Sequence, residues 1–170
     1  MPTFVHYIPI ATTVVAILFA PRVLARWRKK RPAPHLFWWG LGIVMYGVGT
    51  ATESATTLFG WNEWVFRSWY VSGALLGGAP LAQGTVYLLF SRRTADRMTV
   101  ALVSVIAVAA AVVWMAPIDY AAVEPHRLTG SVMEWRRARL FSPFINIYAA
   151  IFLIGGAIWS AWRGRRDPEG

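Results

Sequence analysis

Apolar residues in this chain come in long unbroken blocks rather than in the short alternations of a soluble domain. Five blocks, at 4–24, 36–59, 66–90, 98–116 and 140–162, reach the roughly 20 residues that an α-helix needs to cross a bilayer. Between them lie short polar connectors rich in arginine. The pattern predicts an all-α, polytopic transmembrane helical bundle of five spans that forms one domain over 1–170. The longest connector, 117–139, is too short for a folded domain, and no internal repeat is present. Residues 1–20 are apolar but lack a basic leader, and Arg22 follows the apolar run. This reads as an anchor that enters with its N-terminus outside, not as a cleaved signal.

Within the second block, Gly42, Tyr46, Gly49, Thr50, Glu53 and Thr57 recur at steps of three and four, so they share one helix face. The third block repeats the theme with Trp69, Gly73, Gly77, Pro80, Gly84 and Tyr87. Small residues let helix backbones approach in lipid, and Gly73 and Gly77 form a GxxxG pair. The second and third spans are therefore expected to pack as an antiparallel hairpin through Gly49, Gly73, Gly77 and Gly84. Pro80 removes a backbone donor in mid-span and predicts a kink that displaces the Leu76 carbonyl. Freed backbone groups there are either satisfied by neighbours such as Gln83 or Thr85 or line a wet cavity.

Charge fixes the expected orientation. Twelve of the 17 Lys and Arg fall in the connector 22–31, at Arg92, Arg93 and Arg97, and in the tail at Arg163, Arg165 and Arg166. With five spans these groups lie on one side, which by the positive-inside rule places the N-terminus out and the C-terminus in. Arg136, Arg137 and Arg139 fall outside; Ser131 and Glu134 have capping-box spacing and predict a surface amphipathic helix leading into the fifth span. Trp38, Trp39, Trp61, Trp64, Trp69, Tyr70, Trp159 and Trp162 sit at span ends as an interfacial belt.

The composition agrees: 56% hydrophobic, 15% charged and a mean hydropathy of +0.45. The net charge of +9 is explained by topology and not by nucleic acid, because the basic residues cluster between apolar blocks. The expected partner is the lipid bilayer, at a bacterial cytoplasmic membrane, together with another membrane or cytoplasmic protein or a second copy of the chain in a homo-oligomer.

Glu53 is the one carboxylate in any span. Such a group costs roughly 2.5–3.5 kcal/mol on insertion scales and calls for a partner or a task. His6, Tyr7, Trp69, Tyr70 and Asn146 are expected at a similar depth, and Arg67 is the nearest cation able to snorkel towards it. Two readings stand. Glu53 pins helix register through Tyr70 or Asn146, or Glu53, Tyr46, Arg67, Tyr70, Asn146 and His6 line a ligand pocket or proton-sensitive switch.

Catalytic chemistry finds no constellation. Retinal attachment requires a lysine in a span, and Lys29 and Lys30 lie in a connector. Paired intramembrane haem ligands are missing, since His6, His35 and His126 lie near ends or in a loop. There is no zinc-ligand cluster, no Gly-x-Ser-x-Gly elbow, no second intramembrane acid and no cysteine. No catalytic residue, metal or cofactor is expected.

Residues 37–93 carry YGVGTATES late in one helix, FRSWYVSG entering the next, and APLAQGTVYLLFSRR running out to a basic turn. This stretch resembles the seven-helix N-terminal membrane-sensor module of bacterial histidine kinases. The resemblance implies a non-enzymatic sensor-like or scaffold bundle acting through a separate effector. Two alternatives remain: a small transporter or transporter subunit in which Glu53 carries a proton or cation, and an accessory subunit of a larger membrane complex.

Overall fold

The computed structural model describes residues 8–30 and 33–166. Six α-helices make up nearly all of it: α1 (Ile8–Lys29), α2 (Pro34–Phe59), α3 (Glu63–Trp69), α4 (Ala79–Leu89), α5 (Arg92–Met115) and α6 (Arg136–Arg166). Tyr70–Leu75 between α3 and α4 is π-helical. No β-strand occurs among the described residues, only one isolated bridge between Ile118 and Met133.

Three helical segments, Ile8–Lys29, Arg92–Met115 and Arg136–Arg163, are long and apolar enough to cross a membrane. The second block forms one helix of 26 residues, but glycine, threonine, serine and Glu53 dilute its aliphatic content. The reason lies in packing. α2 is sandwiched between α1 and α4, and Gly40, Gly42, Gly49, Thr50, Ser54, Thr56 and Thr57 along it are buried. Only 11% and 17% of the apolar windows of α1 and α5 are buried. The helices richest in aliphatic side chains are thus the ones that turn outward.

The third block departs most from expectation. A kinked helix over 66–90 was predicted; the chain instead stops at 76–78 and restarts as α4. Pro80 sits in the first turn of that new helix, where its missing N–H has no intrahelical role. The proline therefore starts a helix and does not bend one. The Ser131–Glu134 capping box is also corrected. Gly130–Val132 is a single 3₁₀ turn and α6 begins only at Arg136, so no separate amphipathic helix precedes it.

Local signals set the other ends. Gly60 closes α2 with φ of 88°, a conformation glycine adopts without strain. Asn62 then caps α3 by accepting from Trp64 N at 2.9 Å and Val65 N at 3.3 Å, the usual service of an N-cap amide oxygen.

The main core unites α3, the π-helical turn, α5, the start of α6 and the 117–135 connector. Phe66, Leu75, Ala79, Val113, Val132 and Ala138 are among its buried side chains. The connector is short but not loose. Asp119 N donates to Val132 O at 2.8 Å and Glu134 N to Pro117 O at 3.1 Å, folding it over the bundle end. Tyr70 is buried there, and a methyl group on Gly130 would lie 2.9 Å from its Cε2. Trp61, Trp69 and Tyr70 pack in or against this core, whereas Trp64, Trp159 and Trp162 remain exposed.

Candidate functional site: a broken helix and its polar ties

A helix that stops inside an apolar bundle exposes carbonyls that must find donors. Here α6 supplies them. Ser142 Oγ donates to Ala74 O at 3.0 Å, Asn146 Nδ2 donates to the same oxygen at 3.3 Å, and Asn146 Nδ2 also reaches Ser142 Oγ at 3.1 Å. The break is thus stitched to α6 one helical turn at a time.

Close approach of backbones shapes the same region. A methyl group on Gly49 would lie 3.0 Å from Gly73 Cα, so α2 meets the π-helical turn backbone to backbone. The expected pairing of Gly49 with Gly73 is present. Gly84 lies under Trp39 of α2, and Gly42 faces Leu81 of α4. Gly77 serves another purpose. Its N–H donates to Gly73 O at 3.1 Å, and a methyl group there would fall 2.5 Å from that oxygen. Gly77 closes the end of the π-helical turn, and the Gly73 backbone is what a side chain there would strike first.

Below the break, Gln83 is fully buried and fully used. Its amide nitrogen donates to Ala95 O at 3.1 Å and Thr99 Oγ1 at 2.7 Å; its oxygen accepts from Tyr148 OH at 2.5 Å. Thr99 Oγ1 donates to Tyr87 OH at 3.1 Å, Tyr87 OH to Asp96 Oδ1 at 2.6 Å, and Arg92 pairs with Asp96 at 3.1 Å. This chain of bonds runs without interruption from the interior of α6 through α4 and α5 to the basic turn at Arg92. Beside it, α5 and α6 enclose an apolar cleft of about 340 Å³ lined by Met98, Leu102, Val105, Phe144 and Tyr148.

The opposite end carries a second cluster. Arg67 is buried and pairs with Glu63 at 2.7 Å. It donates to Ala116 O at 2.9 Å and to Val113 O. Glu63 Oε2 also accepts from Tyr120 OH at 2.5 Å. The Tyr120 hydroxyl, and then Arg67, hold the Glu63 carboxyl below its ordinary range, and the same bond to Glu63 pushes the Tyr120 phenol up.

Among the described residues, the sequence-derived site residues are found in different surroundings. Tyr46 and Glu53 are exposed on α2, Tyr70 is in the core, Asn146 serves Ala74, and His6 and Tyr7 lie outside the described residues. Arg67 makes its ion pair with Glu63 and not with Glu53, because its guanidinium is already committed to the end of α5. Asn146 likewise bonds Ala74 and Ser142 instead of serving Glu53. The freed Ala74 carbonyl is taken by Ser142 and Asn146 and not by Gln83 or Thr85, because α6 passes directly beside the break. The Gln83–Tyr148 link was not anticipated, although a glutamine inside an apolar block is the signal that could have found it.

Among the described residues no group of three or more His, Cys, Asp or Glu is placed to hold a metal ion. Comparison with known protein families, curated proteins and solved structures returned no match.

Proposed function

We propose that this chain is a non-enzymatic sensor or interaction module of a bacterial cytoplasmic membrane, crossing it five times with the N-terminus out and the C-terminus in. Its moving part is the broken third crossing, and it acts on a partner protein through its basic inner face. The twelve-to-five split of basic residues between alternate connectors supports the orientation. The observation that carries the reading is that the two halves of one crossing are tied separately to α6. The upper half is held at Ala74 by Ser142 and Asn146, the lower half at Gln83 by Tyr148. A displacement at the upper tie reaches the Arg92–Asp96 turn through α6 and the Gln83 chain. Discontinuous helices with few-bond anchors are elements able to hold two packings.

The chain has no cysteine, so Trp64→Cys in α3 and Leu88→Cys in α4, both at exposed positions, can carry spin labels across the break. In nanodiscs the pair should give two distance populations whose ratio shifts in Ser142→Ala/Asn146→Leu. A single narrow population, unchanged in the double variant, refutes the moving-break reading.

A transport reading draws on the same break, because discontinuous helices at the bilayer midplane also build ion sites in transporters. Glu53 is its charge carrier. Proteoliposome proton flux lost in Glu53→Gln would replace the sensor reading with this one.

A further inference from the structure

We propose that the groove between the end of α4 and the second half of α6 binds one phospholipid with an anionic headgroup, its acyl chain lying over Gly155 and its phosphate on Arg163. The groove has a volume of about 830 Å³. Its walls are Leu88, Leu89 and Phe90 on one side and Ile151 and Phe152 on the other.

Two adjacent glycines divide the work. A methyl group on Gly156 would fall 2.5 Å from Thr85 Cγ2, so Gly156 joins α6 to α4. A methyl group on Gly155 would meet nothing within 4 Å. Gly155 therefore leaves an open floor where any larger residue would fill the groove. From Gly155 to Arg163 the helix rises about 12 Å, a span that suits the upper part of an acyl chain.

At the mouth stand Trp159, Ser160 and Arg163, all exposed. Tryptophan prefers headgroup depth, and the serine hydroxyl and guanidinium offer donors to phosphate. Among the described residues Arg163 has no ion-pair or hydrogen-bond partner, whereas Arg67, Arg92 and Arg127 each pair with a carboxylate. No acidic residue lines the groove. An uncompensated cation above an apolar slot is complementary to an anionic lipid. In a two-fold dimer seated on this face, each Arg163 would approach its own copy, a like-charge contact that disfavours a second chain as occupant.

The test uses the full chain in nanodiscs of equal phosphatidylcholine and phosphatidylglycerol, released for native mass spectrometry. The parent should retain one phosphatidylglycerol in preference to phosphatidylcholine. Arg163→Gln should reduce that preference about fivefold, the ratio expected for one arginine at an anionic surface. Gly155→Leu should abolish retention of both lipids, and Arg28→Gln, in the basic last turn of α1, should change nothing. Circular dichroism checks that each variant folds, and Arg163→Gln, at an exposed site, keeps the test decisive if Gly155→Leu does not. Equal retention of the two lipids by the parent overturns the proposal. So do equal losses in Arg163→Gln and Arg28→Gln, which would mean diffuse charge, and a protein dimer lost in Gly155→Leu, which would mean a second copy in the groove.

Discussion

Arg67 of α3 caps the C-terminal end of α5: its Nη2 donates to Ala116 O at 2.9 Å while the same nitrogen pairs with Glu63 Oε1 at 2.7 Å. The last carbonyls of a helix have no intrahelical donor and carry partial negative charge. A guanidinium is suited to them because its donors fan out in a plane and its charge complements the helix end. One side chain thereby fastens α3, α5 and, through Glu63 and Tyr120, the 117–135 connector.

Removing that fastener should be costly. Arg67→Met keeps the stem but strands the α5 carbonyls and unpairs Glu63, so unfolding in detergent should fall by about 3 kcal/mol, the scale for breaking a buried pair from one side. Arg67→Lys should recover only part of this, because an ammonium cannot serve two carbonyls and a carboxylate with the same geometry. Equal stability of Arg67→Lys and the parent would mean that charge alone matters at this position.

The Glu63 cluster also sets a pH dependence. Its folded pKa is lowered from the ordinary 4.5 by Tyr120 and Arg67, so the unfolded chain binds the proton more readily. The resulting stabilisation is present above 4.5 and is lost as pH falls through the lower folded value. Tyr120 acts with the opposite sign: its pKa is raised from 10.0, so its contribution is lost as pH rises through the folded value. Thermal midpoints measured against pH should decline at both ends, and Glu63→Gln should flatten both declines. An acid limb unchanged in Glu63→Gln would assign it to other carboxylates.

The glycines divide into two groups that stability measurements can separate. Gly49→Leu forces α2 off Gly73 and should cost about 1–3 kcal/mol, the usual scale of overpacking. Gly77→Ala should also destabilise, through the Gly73 carbonyl and not through α2. Both substitutions press on Gly73, so the double variant should depart from the sum of the singles, as sites with a shared partner do. Strictly additive losses would mean that the two act through separate partners.

Helices were legible in this sequence because apolar block length and glycine spacing are local signals. The pairing of Gly49 with Gly73 was readable for the same reason: each lies on a small-residue face, and a short connector brings those faces together. Pro80 is ambiguous in the sequence because a proline in an apolar run is compatible with either a kink or a new first turn, and in the structure it stands in the first turn of α4. Arg67 and Asn146 were recognised as polar anomalies, but their partners lie about 50 and 70 residues away in sequence, at Ala116 and Ala74. Those partners are backbone carbonyls, which leave no mark on residue type. Glu53 is a lone carboxylate by residue type, but Arg67 and Asn146 are taken up by Glu63 and by the Ala74 carbonyl.

Gln83 and Tyr148 provide the sharpest test of how the break is held. Tyr148→Phe removes the donor to the Gln83 oxygen, and Gln83→Leu removes the acceptor together with the donor to Thr99. Hydrogen bonds between membrane helices average about 0.6 kcal/mol in double-mutant cycles, whereas a buried group left unpaired costs about 1–3 kcal/mol. Each single variant should fall in the higher range because it strands its partner in an interior without water. The double variant Gln83→Leu/Tyr148→Phe should lose less than the sum of the singles, the difference being the coupling of the pair. Additive losses would show that the two side chains contribute independently. They would also leave the Ala74 bonds from Ser142 and Asn146 as the side-chain ties between α6 and the break.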